Sequence, residues 1–420
     1  MRPMKASLRP PCSRFRRVLR PPHDAWSGCL EAGKALAAVG LPGVSALLIA
    51  GVLAGCSSPP AAIDLTPQAE GEEPLRAASG NFARVADMID ARTGHSAVLL
   101  SDGRVLIAGG RGGSRAREAT VMSGSQNNTS ELFDPATGTW QRTGDLGAER
   151  EYLAMALLPD GRALVAGGEG YNNLVASSAE VWDPDSGAWS ATGGMKQKRS
   201  HFPMVSLPDG RVMAIGGRDD QLRLLPSVEV YDPAAGTWSE AAPMRTSRAF
   251  HTATLLDDGR VLVVGGGAVE GPYLRSAEVY DPVADTWTSA GDMSVGRGFH
   301  SATLLSDGRV VIVGGKGKIR SAEVWDPATS AWTPAGDTTD PRAEHVAVLL
   351  PDSRVFVGGG VGNLASVEIF DSNTLSWSPG GSLTLSRYRY TATSLKDGRV
   401  LLAGGLSKDG ILAESELYSP

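Results

Sequence analysis

The chain has 420 residues, a formal net charge of −6, 52 glycines, 42% hydrophobic residues and only 6% aromatic ones. Abundant glycine, with no long amphipathic helical pattern after residue 60, argues against a helical fold and for a β-rich, turn-rich one. The acidic balance excludes the basic footprint of a nucleic-acid-binding protein.

The first segment reads differently from the rest. Arg14, Arg16, Arg17, Arg20 and Lys34 precede an apolar run over 35–54, followed by Gly55 and Cys56. A basic stretch, an apolar stretch and small residues before a cut site make an export signal. Leu53-Ala54-Gly55-Cys56 resembles a bacterial lipobox, which implies that Cys56 is lipidated and begins the exported chain. Ser57 after it implies, by the same resemblance, an outer-membrane or cell-surface lipoprotein. Residues 1–56 are therefore expected to be a signal peptide with lipobox, and 57–79, rich in Ser, Pro, Ala and Glu, a flexible linker. Cys12 and Cys29 fall in the removed segment, which leaves no disulfide partner for Cys56 and no free thiolate for a metal or nucleophile. Eight of the 40 Lys and Arg but two of the 46 Asp and Glu lie in 1–56, so the remainder carries 32 against 44, a net of −12.

From residue 80 the chain repeats itself. The first glycine after each recurring Asp-Gly-Arg strand is Gly109, Gly167, Gly216, Gly265, Gly314, Gly359 and Gly404, at steps of 58, 49, 49, 49, 45 and 45. Each unit reads as four short strands. An alternating "HTATLL" is followed by a two-residue turn, then by "RVLVVGG", "AEVYD" and a strand around "TW". Four strands at this period form one propeller blade. The unit resembles the kelch repeat, with its double glycine, aromatic and Trp, over residues 80–420. Ser353 replaces one turn glycine, and Leu153 replaces one first-strand His.

Six fourth strands carry Trp140, Trp189, Trp238, Trp287, Trp332 and Trp377, yet there are seven double-glycine strands. "GNFARVADMIDARTGH" aligns with "GTWSEAAPMRTSRAFH", which puts Phe82 at the missing Trp position. The expectation is an all-β, seven-bladed propeller whose N-terminal strand completes the last blade and leaves no open edge.

What recurs in every blade serves the blade. Arg92, Arg150, Arg199, Arg248, Arg297, Arg342 and Arg387 open the first strands, and Glu131, Glu180, Glu229, Glu278, Glu323, Glu368 and Glu416 sit in the third. They are expected to pair and fix blade to blade, since a buried charge needs a partner; an anion-binding ring of arginines is the alternative. His95, His251, His300, His345 and Tyr390 each fall three residues after that Arg. They are expected to be core or capping residues. Metal ligands must converge within about 2.0–2.2 Å of one ion, whereas equivalent positions on separate blades spread around a ring.

No G-x-S-x-G, H-E-x-x-H or dinucleotide fingerprint is present. The blade around "LLPDSRVFVGGG" also resembles the propeller of galactose oxidase-type copper radical oxidases, which implies a cross-linked Tyr and Cys with further Tyr and His ligands. Here the last Cys is Cys56, and Glu344 stands where a Tyr would precede His345. The oxidase is thus the alternative reading, and no catalytic residue, metal or cofactor is expected.

The exceptions to the repeat point to function. The second-to-third strand loop has 20 residues in blade one, 11 in blades two to four, 7 in blades five and six and 10 in blade seven. Long loops on a rigid scaffold tend to carry function. "RYRY" in blade seven is expected to put Tyr388 and Tyr390 on one side of a strand and Arg389 on the other. Blade two offers Tyr152 and, in its loop, Tyr171, Asn172 and Asn173. These seven residues are the candidate site, their aromatics, amides and charge suiting a sugar or a peptide. The expected protein is an envelope-anchored, monomeric binding scaffold for a protein or carbohydrate ligand. It would touch the membrane through its lipid anchor only.

Overall fold

Runs such as Val261–Val264, Val310–Val313 and Val105–Ala108 are wholly buried along their length, and each is the second strand of its sheet. A strand with no polar face must be covered on both sides, and neighbouring blades supply that cover. The computed structural model describes residues 80–113, 125–267 and 271–420. The export signal, Cys56 and the linker expected over 57–79 lie outside the described residues.

Seven four-stranded antiparallel sheets are formed. Their first strands follow one another in a closed circle: Ser96–Leu99 lies beside Ala154–Leu157, and Thr391–Ser394 returns to lie beside Ser96–Leu99. The last blade is completed from the N-terminal side, where Asn81–Arg84 pairs with Ser415–Ser419 in the register Phe82↔Tyr418. The Phe82 and Tyr418 rings lie 5.0 Å apart, as do Phe133 and Trp140 in blade one. Phe82 thus takes the place of the missing tryptophan, although it is only half-buried. The long loop of blade one contributes Arg111–Gly113 and Ser125–Gln126 to a small extra sheet with Ala91–Thr93.

The recurring Arg and Glu do pair, but within a blade and not between blades. Arg199, with no exposed side-chain surface, donates to Glu229 at 2.6 Å and to the carbonyls of Gly216 and Ser227, all in blade three. Glu229 in turn accepts from the backbone N–H groups of Lys196 and Gln197, in the segment arriving from blade two. The ion pair therefore pins the incoming connection to its own blade. Coupling between blades runs through the arginine backbone, whose carbonyl accepts from the second glycine of the preceding blade, as in Gly217 to Arg248 at 2.9 Å. The first glycine of each pair makes room. A Cβ on Gly404 (φ +64°) would lie 2.6 Å from the Arg92 carbonyl oxygen and 2.9 Å from His95 Cε1.

Candidate ligand-binding site

Two residues after each recurring arginine the backbone turns left-handed. The residues are Gly94, Tyr152, His201, Phe250, Phe299, Glu344 and Arg389, with φ between +53° and +64°. For the six that are not glycine this conformation is costly. It is held by a closed circle of backbone hydrogen bonds, in which each N–H donates to the carbonyl of its counterpart one blade earlier at 2.9–3.4 Å. The last bond, Gly94 N–H to the Arg389 carbonyl, shuts the circle.

That conformation turns the side chains together around one cavity of about 400 Å³ on the propeller axis. Arg389 donates through Nε and Nη2 to the two oxygens of Glu344 at 2.6 and 3.0 Å. Through Nη1 it donates to the Tyr152 hydroxyl at 2.8 Å, reaching across blade one where Gly94 has no side chain. Tyr152 lies tilted over His201 with centroids 4.0 Å apart, His201 meets Phe250 edge-on at 4.6 Å, and Phe250 stacks on Phe299 at 4.3 Å. Cations from the second-to-third strand loops cover the aromatic faces: Arg218 lies 5.4 Å from the Phe250 centroid and Lys316 5.8 Å from that of Phe299.

Two further ion pairs lie beside the cavity. Arg111 binds Glu151 at 2.7 Å, and Arg218 binds Glu169 at 2.9 Å. Burial opposes the Glu169 charge, but hydrogen bonds from His201, Ser200 and Arg218 outweigh it and hold the carboxyl at about 2. Burial lowers the pKa of His201 despite Glu169, 3.3 Å from Nδ1, so the ring is neutral near pH 7. Burial raises the Tyr152 phenol, with Arg389 only partly offsetting it.

One layer below, His95, His300 and His345 are buried, with Nε2 on the hydroxyls of Thr391, Thr252 and Ser301 of the preceding blades. Burial, then the charge of Arg92, Arg297 or Arg342 respectively, drives their pKa to about 3. His251 lacks such a bond because Pro203 occupies the corresponding place in blade three. Among the described residues no three His, Cys, Asp or Glu side chains converge as metal ligands. The donors of a copper radical centre do not fit this mouth: Glu344 is committed to Arg389, His345 faces Ser301, and the chain's three cysteines are Cys12, Cys29 and Cys56.

Of the candidate residues chosen from sequence, Tyr152 and Arg389 meet in the cavity wall. Tyr388 is half-buried, with its ring 5.7 Å from the Arg389 guanidinium. Tyr390 is buried and its hydroxyl donates to the Gly358 carbonyl at 2.8 Å, so it belongs to the histidine layer. The expected strand alternation across "RYRY" does not occur, because Arg389 at φ +54° breaks the strand. Tyr171, Asn172 and Asn173 form a 3-10 turn in the blade-two loop; Asn172 and Asn173 border a separate groove with Arg218 and Asp219. Sequence reasoning missed His201, Phe250, Phe299 and Glu344 as one set. Their signal was present: between the recurring Arg and the first strand, this position reads Gly, Tyr, His, Phe, Phe, Glu, Arg across the seven blades.

The family described as the KLHDC2/KLHL20/DRC7 Kelch-repeats domain matches residues 161–359 and 209–405. No curated protein matches the chain. Among solved structures, a fungal alcohol oxidase of the AA5 family, in complex with copper, is similar at a TM-score of 0.65 and 20% identity, covering 81% of this chain and 76% of that one. At that identity the likeness is one of fold. With the family match spanning more than half of its length, seven four-stranded sheets and a double glycine ending each second strand, the chain belongs to the kelch-repeat β-propellers.

Proposed function

We propose that this protein is an envelope-anchored kelch propeller that binds a protein or glycan at the axial mouth, acting by recognition and not by catalysis. The observation that carries this reading is the circle of left-handed residues. Six costly backbone conformations present six side chains to one cavity, and strain concentrated in this way is characteristic of binding sites. A scaffold role alone would be served by seven glycines. The lipobox resemblance at Cys56 and the polar stretch over 57–79 support a tether that leaves the propeller free to meet its ligand.

The test is capture by the full chain of surface glycans and surface proteins, compared with Arg389→Ala and Phe250→Ala. Capture that both variants lose, with unchanged melting temperature, supports the reading. Capture indifferent to both variants, or no capture at all, sinks it.

A further inference from the structure

We infer that the rim of the mouth at blades five and six binds a carboxylate, its oxygens on the backbone N–H groups of Gly298 and Ala343 and its charge on Lys316. This rests on the proposed binding function and names the chemical group that the ligand carries.

The residue before each left-handed one meets the residue that follows its blade's double glycine. In blades two, three and seven the meeting is reciprocal. Glu151, Ser200 and Tyr388 donate to the carbonyls of Glu169, Arg218 and Leu406 at 2.8–3.0 Å, and accept from the same residues in return. Blades five and six have the shortest second-to-third strand loops, and there the chain turns away at once. Gly315 and Gly360 reach φ +127° and +123°, against +95°, +98° and +104° for Gly168, Gly217 and Gly405. Lys316 and Val361 still donate to the carbonyls of Gly298 and Ala343, each at 2.9 Å, but return no carbonyl. The N–H groups of Gly298 and Ala343, both buried residues, therefore have no hydrogen-bond partner among the described residues. Buried N–H groups without a partner are rare. An acceptor oxygen of a ligand fits the place where the other blades put a carbonyl.

One short segment joins the two donors. Gly315 donates to the Arg342 carbonyl at 2.7 Å and Lys316 to that of Gly298, so this segment touches the backbone on the Ala343 side and on the Gly298 side. Lys316 also differs from the cations around it. Arg111 is bonded to Glu151, Arg218 to Glu169 and Arg389 to Glu344, whereas Lys316 has no ion pair among the described residues. Its ammonium lies 5.8 Å from the Phe299 centroid, and the N–H bonds not directed at the ring remain as donors. Lys318 and Arg320, exposed in the same loop, add to the positive field. The aspartates of this sector are placed elsewhere. Asp292 and Asp337 end the outermost strands of their blades, and Asp340 accepts from the Ser366 hydroxyl at 2.8 Å. Two N–H donors beside one cation match a carboxylate, which brings two acceptor oxygens and one negative charge. An amide in its place brings one acceptor oxygen and no charge.

The probes are the α-amide of N-acetylglutamate and methyl glucuronide, with their uncharged counterparts, the α-amide of N-acetylglutamine and methyl glucoside. They are added to the full chain up to roughly 10 mM, well above a weak dissociation constant of about 1 mM. Binding is read by calorimetry and saturation-transfer NMR, and thermal melting reports the folding of each variant. At least one acid should bind at least about tenfold more tightly than its uncharged counterpart. Lys316→Gln should weaken it at least about threefold. Ala343→Pro, which deletes one N–H, should weaken it as well. Lys408→Gln removes a cation from the same face that is already paired with Asp409, and should leave binding unchanged. Should Ala343→Pro not fold, Lys316→Gln and the uncharged counterparts decide.

Three results overturn the inference: no binding of either acid, equal binding of an acid and its uncharged counterpart, or binding that Lys316→Gln leaves unchanged. A loss as large in Lys408→Gln also overturns it, by assigning the effect to the general field of the face. Binding of the glutamate probe alone supports the site and makes a peptide the source of the carboxylate; binding of the glucuronide alone supports it and makes the source a glycan. If neither acid binds while capture of a surface protein or glycan still depends on Arg389, the carboxylate is wrong and the binding function stands. If capture is also indifferent to Arg389, both fall.

Discussion

The backbone N–H of Gly405, in the last blade, donates to the carbonyl of Arg92, at the entrance to the first, at 2.8 Å. The same bond joins every other pair of neighbouring blades, as in Gly110 to Arg150 at 2.7 Å and Gly266 to Arg297 at 2.7 Å. Here it joins the two ends of the propeller. The ring is therefore closed at three levels, by this inner seam, by the Gly94 to Arg389 bond at the mouth and by the outer pairing of Asn81–Arg84 with Ser415–Ser419.

A chain beginning at Arg92 keeps the inner seam and loses the outer one. Its third strand in blade seven would be left as an open edge, which invites pairing with other chains. It is expected to melt lower and to aggregate, compared with a chain beginning at Ser57. The milder Phe82→Ala should cost about 1–2 kcal/mol, less than the roughly 3–5 of a fully buried Phe, because Phe82 is only half-buried. Equal melting temperatures and monomeric profiles for both chains would show that the outer seam is dispensable.

Glu229→Gln removes the counter-charge of a fully buried arginine, 2.6 Å away. Breaking a buried pair from one side is expected to cost about 3–5 kcal/mol. Denaturant titration measures it; a loss under about 1 kcal/mol would mean that the carbonyls of Gly216 and Ser227 suffice for Arg199.

Stability should rise with pH between about 3 and 6.5. His95, His300 and His345 have folded-state values of about 3, so in this window the unfolded chain takes up protons that the folded one refuses. Folding is then favoured above the ordinary histidine value and progressively lost below it. Each histidine contributes up to about 1.4 kcal/mol per pH unit there. His300→Gln should make the slope of stability against pH shallower by about one proton between pH 4 and roughly 6. An unchanged slope would place the proton uptake elsewhere.

Gly94→Ala tests how the mouth is closed. The residue sits at φ +64°, and a Cβ would come within 3.2 Å of Tyr152 Cε1 and of Glu151 Cγ. A stability loss of about 1 kcal/mol is expected from the left-handed backbone alone, with a larger proportional loss of ligand binding, because Arg389 and Tyr152 meet across this gap. Binding that survives at full strength would show that their contact is incidental.

The propeller was legible in the sequence because its evidence is redundant. Seven copies of a turn, a double glycine and a dry strand state the fold repeatedly, and the single Phe82 in a Trp slot located the closure. The mouth was legible only in part. Tyr152 and Arg389 stood out as departures from the repeat, but Phe250 and Phe299 look like ordinary core residues beside their histidines. What makes them wall residues is a positive φ, which Tyr, His, Phe, Glu and Arg do not advertise. The same hidden conformation defeated the strand reading of "RYRY". The pairing of Arg and Glu followed from burial and charge, whereas its location inside one blade depended on where the chain crosses over.

The circle of backbone bonds around the axis uses main-chain atoms alone, so it is indifferent to which side chain each blade carries. Gly, Tyr, His, Phe, Glu and Arg already occupy it within one molecule, at nearly one value of φ. Substitutions at these seven places can therefore be sampled by mutation one at a time while the frame stays fixed. A lineage built on this frame can change what it recognises without refolding, and related propellers should differ most at the second residue after each buried arginine.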